Sequence, residues 1–228
     1  MKKVKNKLLL KKYINKYKIN DIFTDNYEEY MSLILFKKND YICKYGDEIS
    51  DLLFFVKGRA KVYITLSNGK SLLLCFYYPF MVLGDLEFAN PNKATSNTQV
   101  IEDTYCISIP IKEVREKLSN DSKFLQYISN SLALKLERAS NNSTINLLYP
   151  LENRLASYMI ATMYKGKNNK FEFKENLTWT SELLGTSYRH LLRTLNHFVE
   201  EEIITKDDNC YFIANEKRLR EMAADIYK

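Results

Sequence analysis

The chain has 228 residues, 46% apolar and 13% aromatic, which is enough for a packed core in one or two domains. No apolar run approaches the roughly 18 residues of a membrane span, and the lysine-rich start lacks the apolar stretch and small-residue cleavage site of a signal peptide, so a cytoplasmic protein with no membrane partner is expected. The formal charge of +6 and the pI near 8.9 favour an anionic partner, although much of the excess lies in the first 18 residues. Cys43, Cys75, Cys106 and Cys210 are scattered with no CxxC pair, which indicates neither a zinc knuckle nor a disulfide framework. Reduced, buried thiols are expected, with redox sensing as the alternative.

From about Ser32 to Ile109, short runs rich in β-branched and aromatic residues alternate with turn signals. The runs are Ile34 to Lys37, Tyr41 to Lys44, Leu52 to Lys57, Ala60 to Leu66, Ser71 to Tyr77 and Thr104 to Ile109. Gly46-Asp47, Gly58, Asn68-Gly69, Pro79, Gly84-Asp85 and Asn90-Pro91 punctuate them, and Asn68-Gly69 predicts a hairpin turn of the primed type. Strands this short and regular predict an antiparallel roll resembling a jelly roll, preceded by N-terminal helices.

From Ser119 the period lengthens. Asp121 is a candidate cap, and Leu125, Ile128, Leu132, Leu136 and Ala139 recur near every 3.5 residues over a helix running to about Leu147. That stripe fits either docking on its own domain or pairing with a second copy, and the second is favoured. Asn141, Asn142, Ser143 and Thr144 weaken any seam at the far end. Tyr149-Pro150 then breaks the helix.

The stretch Trp179 to Phe198 reads as two helices around a tight turn. Leu183 and Leu184 precede Gly185, and Leu191, Leu192, Leu195 and Phe198 follow at spacings of three and four. Gly185 suits the chain reversal, and Thr186 or Ser187 can cap the second helix. The opening turn presents Ser187, Tyr188, Arg189 and His190, with Arg193 one turn beyond Arg189. A guanidinium can grip guanine O6 and N7 or hold a phosphate, which points to a helix-turn-helix that reads double-stranded DNA. Ile203 to Lys206, Asp207-Asp208-Asn209 and Cys210 to Ile213 then read as strand, turn and strand, the wing of a winged helix. A last amphipathic segment from Glu216 to Tyr227 carries Leu219, Met222, Ala223 and Ile226 at helical spacing.

In this order the elements resemble the Crp/Fnr superfamily of bacterial transcription factors, over nearly the whole chain after the first 20 residues. The resemblance is carried by LFFVKGRAKVYITLSNGKSLLL at Leu52 to Leu74, VLGDLEF at Val82 to Phe88, LYPLENRLASYM at Leu148 to Met159 and LLGTSYRHLLRTL at Leu183 to Leu195. The SYRHLL run resembles the YeiL-like branch in particular. The resemblance implies an α+β fold with a cyclic-nucleotide-binding-like roll in residues 1–118, a dimerisation helix in 119–148 and a winged helix-turn-helix in 149–228.

It also implies an effector pocket, for which the candidates are Gly84, Asp85, Leu86, Lys93 and Ser140. Members that bind a cyclic nucleotide use a Glu, where Asp85 stands here, and an Arg shortly after it. No arginine occurs between Gly84 and Arg115, Lys93 is off register, and Ala139 falls where a hydroxyl would face adenine. Cyclic AMP is therefore not expected. No cysteines precede Cys43 to hold an iron-sulfur cluster, and the two histidines, His190 and His197, both lie in the DNA-reading part, so neither that cofactor nor haem is expected and the effector is left unnamed. At the DNA end, the resemblance implies that Ser187, Tyr188, Arg189, His190 and Arg193 face the duplex. Arg193 is the best candidate for guanine, Arg189 for a phosphate or second base, and Tyr188 for a thymine methyl.

No Gly-rich phosphate loop, metal-ligand cluster or nucleophile motif suggests an enzyme. The expected function is a homodimeric, sequence-specific transcription regulator. The alternative is a small-molecule-binding regulator that acts mainly through a protein partner such as RNA polymerase, with weak DNA affinity.

Overall fold

The computed structural model describes residues 2–90, 93–166, 171–208 and 210–223, with the backbone alone for 142–147. The chain divides into two compact units, one of Met1–Ile64 with Phe76–Glu137 and one of Thr65–Cys75 with Arg138–Lys228.

The first unit is strand-rich. In chain order it runs through β1 (Lys2–Lys3), α1 (Lys7–Tyr17), β2 (Ser32–Phe36), β3 (Tyr41–Cys43), β4 (Asp51–Lys57), β5 (Ala60–Thr65) and β6 (Ser71–Tyr77), the hairpin tip falling in the other unit. Next come β7 (Val82–Leu83), α2 (Asp85–Ala89), β8 (Asn97–Val100), β9 (Thr104–Pro110), α3 (Ile111–Leu118) and α4 (Ser122–Leu148), the last continuing into the second unit. The strands form two sheets, ordered β1-β2-β9-β4-β7 and β3-β8-β5-β6. Their observed pairings are antiparallel, as expected for a roll.

The inner strand β4, between β9 and β7, is buried from Leu52 to Val56. Alternate residues of a strand face opposite ways, so Leu52, Phe54 and Val56 join Ile107 and Ile109 of β9 in the main core, while Leu53 and Phe55 turn to the other face. The helices cover the first set with Ile14, Val114, Leu118, Phe124 and Ile128. Phe124 stacks on Phe23 at 5.8 Å between ring centres and meets Phe88 edge-on at 5.2 Å, which adds geometric preference to the area it buries.

The six expected strands are present within a residue or two. β1, β7 and β8 were not read, because β1 and β7 have only two residues each and β8 (Asn97–Val100) is largely polar. The helix α3 was also missed, its eight residues lying before the point where the longer period becomes clear. One turn differs from expectation. At Ser67 to Lys70, Gly69, and not Asn68, takes the left-handed conformation (φ 79°), Gly69 N–H bonds to Leu66 O at 2.9 Å and Leu66 N–H to Lys70 O at 2.8 Å. This is the longer hairpin loop, an ordinary turn closed by a left-handed glycine, and Asn68 uses its side chain to accept from Lys70 N–H.

The second unit runs through α5 (Leu151–Thr162), β10 (Tyr164–Lys165), β11 (Phe171–Phe173), α6 (Leu177–Leu183), α7 (Tyr188–Glu200), β12 (Ile204–Asp207), β13 (Cys210–Ile213) and α8 (Glu216–Ala223). Its sheet order is β10-β11-β13-β12. Tyr158, Phe173 and Tyr211 pack ring against ring at its centre, and Asn153 ties α5 to α8 by donating to Met222 O at 2.8 Å. Ile226 and Asn209, both named in the sequence reading, lie outside the described residues, as does Pro91.

The start of α4 is fixed as the sequence predicts. The Asp121 carboxylate accepts from Lys123 and Phe124 N–H at 3.0 and 3.1 Å, and from the Thr24 N–H and hydroxyl at 2.8 and 2.9 Å. Burial opposes the charge, but these four donors outweigh it and hold the carboxyl below its ordinary range. We expect Asp121→Ala to cost about 1 to 3 kcal/mol in urea unfolding at neutral pH. A depressed folded-state pKa gives stability that is complete above the unfolded value of about 4 and lost as pH falls through the folded one, so wild type and variant should converge in acid. A gap that persists undiminished in acid would show that the charge is not what Asp121 supplies.

Candidate nucleic-acid interface

The helix pair is built by local rules. Asn176 caps α6 by accepting from Trp179 N–H at 3.0 Å. After Leu183 the chain reverses: Gly185 adopts φ 61°, its N–H bonds to Glu182 O at 2.9 Å, and Thr186 N–H bonds to Ser181 O at 2.9 Å. A side chain at a left-handed position costs energy, which is why glycine ends the helix here. Ser187 then caps α7, its hydroxyl accepting from His190 N–H at 3.2 Å. Arg154 of α5 donates to Leu184 O at 2.5 Å and so braces the turn from below.

The face of α7 turned to the core is Leu191, Thr194, Leu195 and Phe198, all buried. Leu192, expected on that stripe, is only half-buried, and Thr194 takes the place. Burial of the Thr194 hydroxyl is tolerated because it donates back to His190 O at 3.2 Å. With that face spent, Tyr188 (47% exposed), Arg189 and Arg193 are left in solvent along the other side. Ser187 stands exposed at the helix start, and His190 is half-buried with Nδ1 3.3 Å from the Thr186 hydroxyl. That makes His190 the least free of the five to reach a partner. Arg189 and Arg193 rim an open depression with Asn196 and His197, which carries two acids as well, Glu152 and Glu200.

The wing is present as a tight pairing of β12 with β13, Asp207 opposite Cys210 and Lys206 opposite Tyr211, with Asp208 in a left-handed conformation (φ 47°) at the bend. Lys206 is exposed and is the wing's only cation among the described residues.

The effector candidates fall into different settings. Gly84 caps α2, and Asp85 next to it is fully buried. Leu86 is 48% exposed and Lys93 is also exposed, so neither lines an interior with Asp85. Ser140 is exposed on α4 past the end of the first unit. Asp85 instead engages α4: it accepts from the Ser131 hydroxyl at 2.7 Å and pairs with the Lys135 ammonium. Burial alone would push Lys135 down, but Tyr77 and Asp85 outweigh it and hold it above its ordinary value. Glu87 is pushed up by burial and by the neighbouring Asp85. Arg115, the next arginine along the chain, donates to Glu87 O at 2.6 Å.

Ser131 and Lys135 were missed in the sequence. The signal was there: Phe124, Ile128, Ser131 and Lys135 continue one helical stripe, and its last two members are polar and need a buried partner. The same geometry corrects the interface stripe. Ile128 is 3% exposed and belongs to its own domain's core, and Leu132 is half-buried against that core. Leu125 (36%), Leu136 (73%) and Ala139 are exposed. At about 100° per residue, Ile128 sits on the roll-facing side and Ser129 takes its place on the outward stripe.

Burial raises the Cys43, Cys106 and Cys210 thiols above their ordinary values, which argues against a reactive thiolate at those positions.

Together, a roll of short antiparallel strands, a long helix and a winged helix-turn-helix define a two-part regulator. A family model described as a cyclic nucleotide-binding domain matches residues 33–121. Solved structures share the fold: a transcriptional regulator from Eubacterium rectale (TM-score 0.73, 16% identity, 87% of this chain and 92% of that one) and a CRP-family transcriptional regulator from Thermus thermophilus (TM-score 0.68, 13% identity, 86% and 98%). In sequence, the chain is 32% identical over 206 residues to the regulatory protein YeiL of Escherichia coli O157:H7, spanning 90% of this chain and 92% of that protein. The chain belongs to the Crp/Fnr family of transcription regulators. These relatives bear the names of regulators.

If Arg193 reads a base, Arg193→Ala should cost about 1 to 3 kcal/mol of discrimination at one base pair of each half-site and leave affinity for unrelated DNA nearly unchanged. Competition binding against single-base variants measures this, and equal loss on every sequence would make Arg193 a phosphate contact.

Proposed function

We propose that the protein is a cytoplasmic, homodimeric transcription regulator that binds an operator in double-stranded DNA through α7. The observation that carries this reading is the capped helix start with Tyr188, Arg189 and Arg193 on the one face that the core leaves free. A wing on the adjacent strands supports it. No described helix is long and apolar enough to cross a membrane.

The second copy is assigned to the outward stripe of α4. Leu125, Ser129, Leu132, Leu136 and Ala139 repeat near 3.5 residues, and exposed leucines at that spacing need a cover. The roll is proposed not to answer to cyclic AMP. Its acidic residue is already engaged by Lys135, and no arginine lies between Gly84 and Arg115 to meet a cyclic phosphate. Action through RNA polymerase is the alternative reading.

Selection of bound duplexes from a random pool by the purified protein, at near-physiological salt, tests the DNA reading. A palindrome with half-sites about one helical turn apart is expected, whereas binding with no enriched sequence would remove the operator claim. Leu136→Asp tests the dimer better than a change at Leu132, which also touches the domain's own core. It should shift sedimentation from dimer to monomer and abolish operator binding while leaving thermal unfolding of the roll nearly unchanged. A dimer that survives it overturns the α4 interface.

A further inference from the structure

Asp85 is 0% exposed, and the donors that reach its carboxylate come from the protein itself: Leu86 N–H at 3.0 Å, the Ser131 hydroxyl at 2.7 Å and the Lys135 ammonium. Two of the three come from α4, one turn apart. The Lys135 side chain is 17% exposed, and its Nζ lies 5.3 Å from the centre of the Tyr77 ring. A carboxylate, a hydroxyl that orients it and an aromatic face are what a protein offers to a small ammonium ligand.

A buried ion pair returns little net stability over apolar residues of similar size. Leucine or methionine at position 135 would extend the stripe of Phe124 and Ile128 and dock the helix without the cost of desolvating a charge. The lysine therefore supplies something that apolar docking would not, namely a bond of fixed direction to one carboxylate. It sets how far α4 is rotated on the roll, and so which side chains the helix turns outward.

We propose that Asp85, Ser131 and Tyr77 form an ammonium-binding site occupied by the chain's own Lys135. The roll is thus self-liganded: a tethered cation holds α4 in place, and no diffusible effector is needed to do so.

The test is chemical rescue of the full chain. Lys135→Ala removes three carbons and the ammonium, which n-propylamine replaces and 1-propanol mimics without charge. Amide exchange across residues 129–137 should quicken about tenfold or more in Lys135→Ala. Millimolar n-propylamine should restore the protection, 1-propanol should not, and Asp85→Asn in the same background should abolish the rescue. Unchanged exchange in Lys135→Ala overturns the proposal. Equal restoration by 1-propanol also overturns it, since that means only a filled void. Should Lys135→Ala fail to fold, Lys135→Gln keeps most of the length, one bond shorter, without the charge, and wild-type protection in that variant would overturn the proposal just as well. Operator binding should fall and recover in parallel. That second readout rests on the DNA-reading proposal, whereas exchange does not, so a wild type that binds no DNA would sink the proposed function and leave the ammonium site to be judged by exchange.

Discussion

One face of α4 is committed to the roll, and what the helix has left for any other purpose follows from that commitment. Phe124 and Ile128 enter the core, and Ser131 and Lys135 continue the same stripe onto Asp85. A helix turns about 100° per residue, so this choice fixes Leu125, Ser129, Leu132 and Leu136 on a neighbouring stripe. A one-residue change of phase would bury Leu125 and expose Phe124. The docking contacts thus decide the geometry of the seam that we assign to the second copy, although none of them lies in it.

The two ends of the docked stripe work differently. At the start, apolar area and ring packing dominate. At Lys135 the contact is directional, a charge-assisted bond to a carboxylate with no room to move. Apolar packing brings the helix to the roll, and the ion pair selects its phase. Asp121 adds the third constraint, fixing where the helix begins by holding both its first amides and Thr24.

Much of this was legible in the sequence, for reasons that differ by element. The helix-turn-helix was readable because its signals are local: Gly185 at the reversal, Ser187 as cap and leucines at helical spacing all act within a few residues. The strands from β2 to β6 and β9 were readable because each carries β-branched, aromatic or other apolar residues between turn signals. The Ile128 assignment failed because a 3.5-residue stripe and a buried face lie close together on one helix, and periodicity cannot say which of two neighbouring stripes a residue serves. Thr194 was missed because its hydroxyl is satisfied by its own helix, a fact of backbone geometry and not of side-chain type. Lys135 was missed because its partner lies fifty residues away in sequence. The hairpin at Asn68-Gly69 shows a subtler limit, since the same dipeptide serves two loop lengths and the backbone chooses between them.

Charge completes the picture in an unexpected way. The first 18 residues hold eight lysines and no acid, while residues 149–228 hold as many acidic residues as basic ones, twelve of each. The segment with the helix-turn-helix therefore lacks the bulk positive field that draws many DNA-binding domains to any duplex. Acids stand close by, with Glu200 and Glu152 bordering the same depression as Arg189 and Arg193. In a balanced field, a phosphate drawn to the arginines is also repelled by the carboxylates, so weak, indiscriminate attachment gains little. A guanidinium aimed at a base edge loses less, because its two bonds depend on direction more than on charge alone. If α7 reads DNA as we propose, such a surface would sacrifice general affinity and keep discrimination, the balance expected of a regulator that must find a few sites among many.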